Sequence, residues 1–335
     1  MAKYKLLVLA DHRAHFNENS MYALLREMER HPLCSQIDVV SRGNDINLLF
    51  FERMAVKSLY ATRVHPNFDF SADGRFFKKD LQKTWLREYD AVLLRLPHPI
   101  APGFWDFLAK EYPNLLFINA PRGLQIAGSK AFLLEFPHLC PPMKRCTSLR
   151  EIEDFRQRFP IILKPLMGYG GRGIVRIEGD KVSKAEGGEQ TWTTFANTLE
   201  KADFDYLGAK FLKNVSQGDK RIVVCCGEIL GAALRYPQPG KWVCNISQGG
   251  KSTGAEPDDD ERAIIEQIDP ILAAHGIIFY GIDTLVGDEG KRLLSEINAL
   301  SVGGLTRMAE YSKRPVVRQA ADLLWRHIES KLKEH

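Results

Sequence analysis

The sequence predicts a mixed α/β and α+β fold, with a mostly parallel sheet in the first third of the chain and antiparallel pairing after it. Short apolar runs alternate with amphipathic helical segments before residue 122, and hairpin-like pairs of apolar runs follow residue 205. Alternating strands and helices are typical of a parallel sheet with helices on its faces. The 335 residues are enough for two or three such units.

In the first unit, Asn19 is placed to cap a helix that runs to Glu29, because apolar residues recur behind it at helical spacing. A second helix is predicted over Gly103–Tyr112. The predicted buried strands of this unit are Leu6–Ala10, Ile37–Val40, Ala91–Leu96 and Leu115–Ile118.

A boundary segment, Pro121–Cys146, contains several prolines and leads into a small α+β unit. Ser148 and Glu151 form a capping box, which predicts a helix through Phe159. The other elements expected here are a short helix near Ser129–Phe136, strands at Ile161–Leu163 and Gly173–Ile177, and a helix near Thr191–Lys201.

The last unit begins with a predicted hairpin, because Gly227 separates two strand-like runs. Pro237–Gly254 is rich in Gly, Pro, Ser and Gln, which predicts a long mobile loop. The hairpin strands and remaining elements are Lys220–Cys226, Glu228–Arg235, a helix at Asp258–His275, paired strands at Ile277–Val286 and Leu293–Ile297, and a helix at Pro315–Lys333. We therefore expect three domains, at residues 1–122, 123–204 and 205–335.

Composition excludes several classes of protein. The 46 basic and 42 acidic residues leave a net charge of only +4 with no basic run, so we expect no nucleic-acid partner. No apolar run reaches the roughly 18 residues that span a bilayer. The apolar run after Lys5 is too short for a signal peptide and is interpreted as a first buried strand. Six scattered cysteines without a CxxC pair indicate reduced thiols in a cytoplasmic protein.

A lysine followed by glycines is the first candidate for chemistry. Lys164 ends the apolar run Ile-Ile-Leu, where burial without a partner is costly, and Pro165 then stops strand pairing. Glycines at 168, 170, 171 and 173 permit a tight turn whose N–H groups point at an anion. The alternative is a hairpin with an exposed lysine at its base. The segment lacks the Gly-Lys-Ser/Thr ending of a P-loop.

Three oxygen-bearing side chains interrupt apolar strands near the end of the chain. Glu296 and Asn298 share one face of a strand because they are two residues apart. Asp283 lies in the preceding strand, so antiparallel pairing would bring all three side chains together. Hard oxygen ligands suit Mg²⁺ bridging to ATP phosphates. The alternative is a solvated polar face of an edge strand.

Two arginines near opposite ends of the predicted hairpin, Arg221 and Arg235, have the right shape to grip carboxylates or stabilise an oxyanion. The alternative for this region is ordinary surface charge, which we favour for Lys220. Taken alone, Lys130 would be a surface lysine.

Four segments together resemble the ATP-grasp superfamily, and within it the bacterial glutathione synthetases. The resemblance covers nearly the whole chain and implies an ATP-grasp fold preceded by an N-terminal parallel-sheet domain. The segments are Ile-Leu-Lys-Pro-Leu-x-Gly-x-Gly-Gly at 162–171, Gly-Asp-Lys-Arg at 218–221, Gly-x-Asp at 281–283 and Glu-Ile-Asn at 296–298.

The resemblance implies that ATP lies between two antiparallel sheets and assigns roles to matching positions. For nucleotide binding it implies phosphate contacts from Lys130, Lys164, Gly168, Tyr169, Gly170 and Gly171, adenine contacts from Lys210, Phe211 and Leu212, and a ribose contact from Asp219. For the metal it implies Asp283, Glu296 and Asn298 as ligands of two Mg²⁺ ions, with Mn²⁺ as a substitute. For the substrates it implies Arg95, Arg235, Asn245, Gly303, Gly304 and Arg307, with Arg221 and Lys164 as the catalytic residues.

The implied reaction joins γ-glutamylcysteine to glycine. A carboxylate attacks the γ-phosphate, an amine attacks the resulting acyl phosphate, and phosphate leaves, while positioning and charge neutralisation supply the catalysis. Loops at Met167–Arg172 and Tyr236–Lys251 would exclude water. The resemblance also implies a homo-oligomer acting on small molecules.

Three segments depart from the family pattern: the loop centre at 240–245, the stretch Ala299–Thr306 after Glu-Ile-Asn, and Asp11–Asn19 with its two histidines. The first two lie where substrate would bind. Two alternatives therefore stay open, namely a sibling ligase that joins another amino acid or peptide, and a nucleotide-binding protein without turnover.

Overall fold

The computed structural model describes residues 3–167, 171–244 and 249–334. Within these ranges the strands form sheets of six, six and five members. The first sheet has the order β4-β3-β2-β1-β5-β6 and consists of β1 Tyr4–Ala10, β2 Cys34–Ser41, β3 Leu59–Arg63, β4 Gln82–Thr84, β5 Ala91–Arg95 and β6 Leu116–Ile118.

The central strands of this sheet confirm the predicted parallel arrangement, since β2, β1, β5 and β6 are parallel neighbours. Two antiparallel strands at one side of the sheet, β3 and β4, were not predicted, because they have only five and three residues. Asn19 caps the first helix as predicted, its Oδ1 accepting from the Met21 N–H at 3.0 Å. The helices of this region are α1 Ser20–Glu29, α2 Leu48–Arg53, α3 Phe104–Glu111 and α4 Pro121–Ala127.

The second sheet is antiparallel throughout, with the order β11-β10-β9-β8-β12-β7. Its strands and helices are β7 Met143–Cys146, α5 Leu149–Arg156, β8 Ile161–Pro165, β9 Val175–Glu178, β10 Lys181–Lys184, β11 Glu189–Thr191, α6 Trp192–Leu199 and β12 Tyr206–Lys210. The capping box at Ser148 is present. The domain division stays a prediction, but the expected boundary at 204 falls just before a strand, β12, that belongs to this sheet.

The third sheet, also antiparallel, has the order β15-β14-β13-β16-β17. Its strands are β13 Asp219–Cys225, β14 Glu228–Tyr236, β15 Lys251–Ala255, β16 Phe279–Val286 and β17 Arg292–Asn298. The predicted hairpin forms around Gly227, where φ is +78°. The predicted loop at Pro237–Gly254 is wrong at its end, because residues from Lys251 onward pair with β14 as an exposed edge strand. The sequence Lys-Ser-Thr-Gly-Ala does not predict this strand, because apolar and polar residues do not alternate in it.

Three helices complete the fold: α7 Asp259–Ala274, α8 Leu305–Ser312 and α9 Val316–Lys333. The last of these packs on α1, where the Trp325 indole N–H donates to the Met28 carbonyl at 3.0 Å. The 3-10 turns are His12–Ala14, Asp45–Asn47, Arg75–Phe77, Leu86–Glu88, Lys130–Glu135 and Lys213–Gln217. The helix expected near Ser129–Phe136 is therefore a 3-10 turn. None of the helices in the described ranges has the length and apolarity needed to cross a membrane.

The buried side chain of Asn119, which follows β6, joins the first sheet to the third. Its amide Nδ2 donates to the Phe279 and Ala299 carbonyls at 2.7 and 2.9 Å. Its Oδ1 accepts from the Ile278 and Phe279 N–H groups, both at 2.9 Å. A buried polar group that finds a hydrogen-bond partner avoids a desolvation penalty. Because all four bonds of Asn119 depend on the relative position of the two sheets, they fix the first sheet against the third.

Candidate active site

Two neighbouring cavities share Glu296 of β17. We call the first the inter-sheet cavity: it lies between the second and third sheets and has a volume of about 100 Å³. We call the second the N-terminal cavity: it lies between the end of the first sheet and the segment after β17, with a volume of about 210 Å³. A carboxylate at their junction can therefore act on groups held in both.

The inter-sheet cavity is apolar at one end and charged at the other. Lys164 lines it from β8, and its ammonium donates to the Ser295 carbonyl at 3.1 Å. Phe211 lines it from the residue after β12. Leu207 pairs with Lys164 in the sheet, so Phe211 lies four residues further along the strand, about 13 Å away. The cavity thus suits a molecule with a flat apolar end and a polyanionic end.

A buried ion cluster occupies the charged side of this cavity. Arg221 donates to both oxygens of Asp283, at 2.5 Å from Nε and 2.6 Å from Nη2. Arg235 donates to both oxygens of Asp219 at 2.6 and 2.8 Å and reaches Asp283 at 3.0 Å. Strand register creates these pairs, because Arg221 lies opposite Asp283 and Asp219 lies opposite Arg235. The prediction that the arginines lie near opposite ends of the hairpin is wrong, since folding brings both to its open end.

A glycine sets this geometry. Gly218 has φ of +87°, and a Cβ there would lie 2.6 Å from the Arg235 carbonyl. Only glycine permits this close approach, which starts β13 with Asp219 directly beside Arg235.

Burial and neighbouring charges together set the pKa values of the two aspartates in this cluster. Burial acts to raise the pKa of Asp283, but Arg221 and Arg235 outweigh it and hold that pKa below its usual range. For Asp219, burial dominates and raises the pKa to about 6, with Arg235 opposing it. Asp283 is therefore ionised at neutral pH, the form in which a carboxyl group binds Mg²⁺.

The donor set fits magnesium chemistry. Asp283 and Glu296 face each other across β16 and β17, and the Asn298 Nδ2 lies 3.4 Å from an Asp283 oxygen. Among the residues described, no group of three His, Cys, Asp or Glu side chains is arranged to hold a metal ion. A cation here would use the two carboxylates, the Asn298 amide oxygen and oxygens of a bound phosphate. Asp283 Oδ2 already accepts from three groups, so Glu296 and Asn298 are the more available ligands.

Lys130 lies in the N-terminal cavity rather than among the residues of the inter-sheet cavity. Its ammonium is 3.9 Å from Glu296 Oε1. Burial lowers its pKa, and Glu296 opposes that change. The capping hydroxyl of Ser129, which accepts from the Ala131 N–H, starts the turn that carries this lysine towards the junction.

A cation, Arg95, is buried against the wall of the N-terminal cavity at the end of β5. It is 3% exposed, its Nη2 donates to the Val302 carbonyl at 2.7 Å, and its Nε has no hydrogen-bond partner among the described residues. Burial lowers its pKa to about 10, so the guanidinium remains charged at neutral pH. Gly303 and Gly304 line the same cavity, ahead of the N-terminus of α8. Together these groups suit a substrate carboxylate.

The segment after β1 forms another wall of the N-terminal cavity, from Ala14 to Ser20. Arg307, predicted to bind substrate, is absent from the lining of both cavities and instead pairs with Glu18, which lines this one. The His15 imidazole bonds to the Tyr22 hydroxyl at 2.8 Å. Burial, aided by Arg95, lowers the His15 pKa to about 4.

The neutral His15 predicts an acid-dependent stability. Below pH 6.5 the unfolded chain binds a proton at this residue that the folded chain does not bind until about pH 4. The free energy of unfolding should therefore fall by about 3 kcal/mol between pH 6.5 and 4. Urea denaturation across this range should show a shallower fall for His15→Gln. The exposed His138→Gln should keep the wild-type dependence, and an identical fall in both variants would contradict the assignment.

The predicted residues fall into groups. Those lining the inter-sheet cavity are Lys164, Lys210, Phe211, Leu212, Asp219, Asp283 and Glu296; those lining the N-terminal cavity are Arg95, Lys130, Glu296, Asn298, Gly303 and Gly304. Arg221 and Arg235 contact the site through Asp283, and Gly171 lies beside it in sequence with φ of +77°. Gly168, Tyr169, Gly170 and Asn245 lie outside the described residues.

Sequence reasoning missed several lining residues, among them three that carry polar groups. His98 lines the N-terminal cavity, and Ser295 and Trp242 line the inter-sheet cavity. The departure of 240–245 from the family pattern was the available signal for Trp242. His98 gave a weaker one, as a histidine between two prolines after a buried strand.

Solved structures share the whole fold. D-cycloserine synthetase DcsG superposes with a TM-score of 0.65 at 13% identity, covering 97% of this chain and 99% of that chain. The VanG D-Ala:D-Ser ligase from Enterococcus faecalis gives 0.62 at 13% identity, covering 96% and 98%. The fold is the ATP-grasp fold, as predicted.

Sequence comparison narrows the class. The model of the prokaryotic glutathione synthetase ATP-grasp domain matches residues 129–313. The glutathione synthetase of Bradyrhizobium diazoefficiens is 30% identical over 71% of this chain and 74% of that protein, and that of Mesorhizobium japonicum is 31% identical over 75% and 76%. The chain is an ATP-dependent C–N ligase of the ATP-grasp class. It belongs to the prokaryotic glutathione synthetase family.

Proposed function

We propose that this protein joins γ-glutamylcysteine and glycine to form glutathione, converting ATP to ADP and phosphate. The observation that carries the proposal is the junction of two cavities at Glu296. The inter-sheet cavity would hold ATP, with adenine near Phe211 and phosphates near Lys164. The N-terminal cavity would hold the acid and the amine beside Arg95.

In the first step, a carboxylate oxygen of γ-glutamylcysteine attacks the γ-phosphorus of ATP, and the bond from that phosphorus to the bridging oxygen breaks. Lys164 and Lys130 approach the junction from its two sides and would hold phosphate oxygens there. Arg221, fixed by both Asp283 oxygens, would neutralise the reacting carboxylate. The products of this step are ADP and an acyl phosphate.

In the second step, the glycine amine attacks the acyl carbon, the C–N bond forms and the acyl C–O bond breaks, so that phosphate leaves while the nitrogen loses a proton to the departing phosphate or to solvent. No protein nucleophile is required, so positioning and charge neutralisation supply the catalysis. The carboxylate of a substrate would bind Arg95, Gly303 and Gly304. Arg307 would act on substrate through its partner Glu18.

Two Mg²⁺ ions would be held by Asp283, Glu296 and Asn298, with Mn²⁺ as a substitute. Bound there, the ions supply positive charge to the phosphates of ATP. Glu296 gives the site its charge at the junction, while the two arginines orient Asp283. The remaining expectations are a cytoplasmic homo-oligomer that acts on small molecules and binds neither nucleic acid nor membrane.

One observation favours a second candidate, a sibling ligase that joins another acid and amine. The wall of the N-terminal cavity includes His15, Phe16 and Glu18, from the segment Asp11–Asn19 that departs from the family pattern. The lining also includes Ala299–Ser301, from the second departing segment. Both departures thus fall on the cavity that would select substrate rather than on the charged residues that would handle phosphate.

The deciding experiment measures ADP release with Mg-ATP, γ-glutamylcysteine and glycine, omitting each in turn, with mass spectrometry of the product. We expect ADP only with both substrates present, together with the mass of glutathione. ADP with a different acid and amine would establish the sibling ligase instead. Nucleotide binding without ADP from any pair tried would favour the nucleotide-binding protein without turnover.

A further inference from the structure

The chain leaves the third sheet at Tyr236. The segment Gly240–Cys244 that follows lies between the third sheet and the second. Trp242, Val243 and Cys244 line the inter-sheet cavity. Gly240, Lys241 and Trp242 also line a surface cleft whose other wall is the second sheet, including Arg176 and Lys181. Trp242 belongs to both linings, so this residue lies where the two sheets approach each other.

The position of this segment along the cavity is fixed at its end. The Cys244 side chain is buried, and its thiol lies 3.9 Å from the Val215 carbonyl as a donor. Val215 belongs to the 3-10 turn that follows Phe211 and Leu212. Trp242 shares the surface cleft with Arg176, whose guanidinium lies over the Phe211 ring, so Trp242 lies towards the Phe211 end of the cavity.

The chemistry of that end suits a flat ring. The Arg176 guanidinium covers the Phe211 ring at 3.8 Å from its centroid. Met143, Ile162, Ile174 and Leu212 supply apolar lining. Aromatic side chains bind nucleobases by stacking, and tryptophan has the largest ring system for it.

We propose that Trp242 binds the purine base of the nucleotide and forms, with Phe211, the aromatic lining of the base site. The proposal rests on the nucleotide site described under "Proposed function" and adds a residue from the loop centre at 240–245, which departs from the family pattern. The proposal assigns this loop to nucleotide binding rather than to binding of the substrate amino acids. Trp242 is accordingly a binding residue and not a catalytic one.

The test is the equilibrium affinity of the full chain for Mg-ADP, measured by titration calorimetry. Trp242→Ala should raise the dissociation constant about tenfold, because a stacked base loses its partner. Trp242→Phe keeps a ring and should stay within about threefold of the wild type. Magnesium tripolyphosphate, which lacks a base, should bind both variants as it binds the wild type.

Fluorescence gives a readout that does not depend on turnover. Mg-ADP should change the emission of the wild type, and the Trp242→Phe variant should lose that change. Trp85, in the first unit and remote from the cavity, provides the matched control, since Trp85→Phe should retain the response.

Three results would overturn the proposal. The first is unchanged Mg-ADP affinity in Trp242→Ala. The second is an equal loss of tripolyphosphate affinity, which would assign the effect to the phosphate end. The third is a raised KM for the amino-acid substrates alone, which would place the loop over the N-terminal cavity. A wild type that binds no Mg-ADP would overturn the nucleotide site itself, so the two failures are distinguishable.

Discussion

Glu296→Gln should lower the rate of ADP release about a thousandfold while leaving the fold intact. Glu296 lies at the junction of both cavities, and the substitution removes the negative charge that would hold a metal ion. Glutamine has nearly the same shape, and the side chain is 26% exposed, so packing should not change. Steady-state ADP release at saturating Mg-ATP measures the rate, and thermal denaturation followed by circular dichroism measures the fold.

Glu289→Gln provides the matched control. Glu289 is exposed in the turn that joins β16 to β17, so the same chemical change is made on the same hairpin. This variant should release ADP at the wild-type rate. If Glu296→Gln did the same, the metal assignment would be wrong.

The second large effect concerns stability. Arg235→Met should lower the free energy of unfolding by about 3–5 kcal/mol. Methionine keeps most of the apolar stem of the arginine. However, Asp219 loses the cation that donates to both of its oxygens, and Asp283 loses one of its two arginine partners. Buried carboxylates without their partner are costly, because the low-dielectric interior does not replace water. Urea denaturation at neutral pH measures the difference.

Arg145→Met tests whether burial causes the loss. Arg145 also donates to both oxygens of an aspartate, Asp205, at 2.9 and 2.6 Å, but these side chains are 55% and 37% exposed. Exposed pairs contribute little because water screens them, so the denaturation midpoint should not move. Equal shifts in the two variants would show that burial of the Arg235 cluster is not what stabilises it.

Much of the fold could be predicted from local patterns. The central strands of the first sheet are nearly continuous apolar runs, and α1 begins at a capping asparagine, so periodicity and capping located both. Asp283, Glu296 and Asn298 stood out because each interrupts an apolar strand. Antiparallel pairing of β16 with β17 then brought them together as expected.

What could not be predicted depends on contacts between distant residues. In the sequence, Asn119 is simply a polar residue after a predicted strand. Only the fold shows that its side chain hydrogen-bonds residues about 160 and 180 positions away. The pairing of Asp219 with Arg235 follows from the register of β13 and β14, which cannot be deduced from individual residues. The strand β15 lacks an apolar face, so its pairing with β14 is decided by the neighbouring strand rather than by its own composition.

The four hydrogen bonds of Asn119 also have a consequence for the timing of a reaction cycle. They tie the first sheet to the third, and the N-terminal cavity lies along that join, so its walls keep their spacing between turnovers. Most buried apolar side chains of the second sheet, including Ile161 and Phe195, form a core cluster of their own, while Leu207 belongs to the core shared with the other sheets. We therefore expect the amino-acid substrates to bind a preformed site, and any opening step to accompany nucleotide exchange.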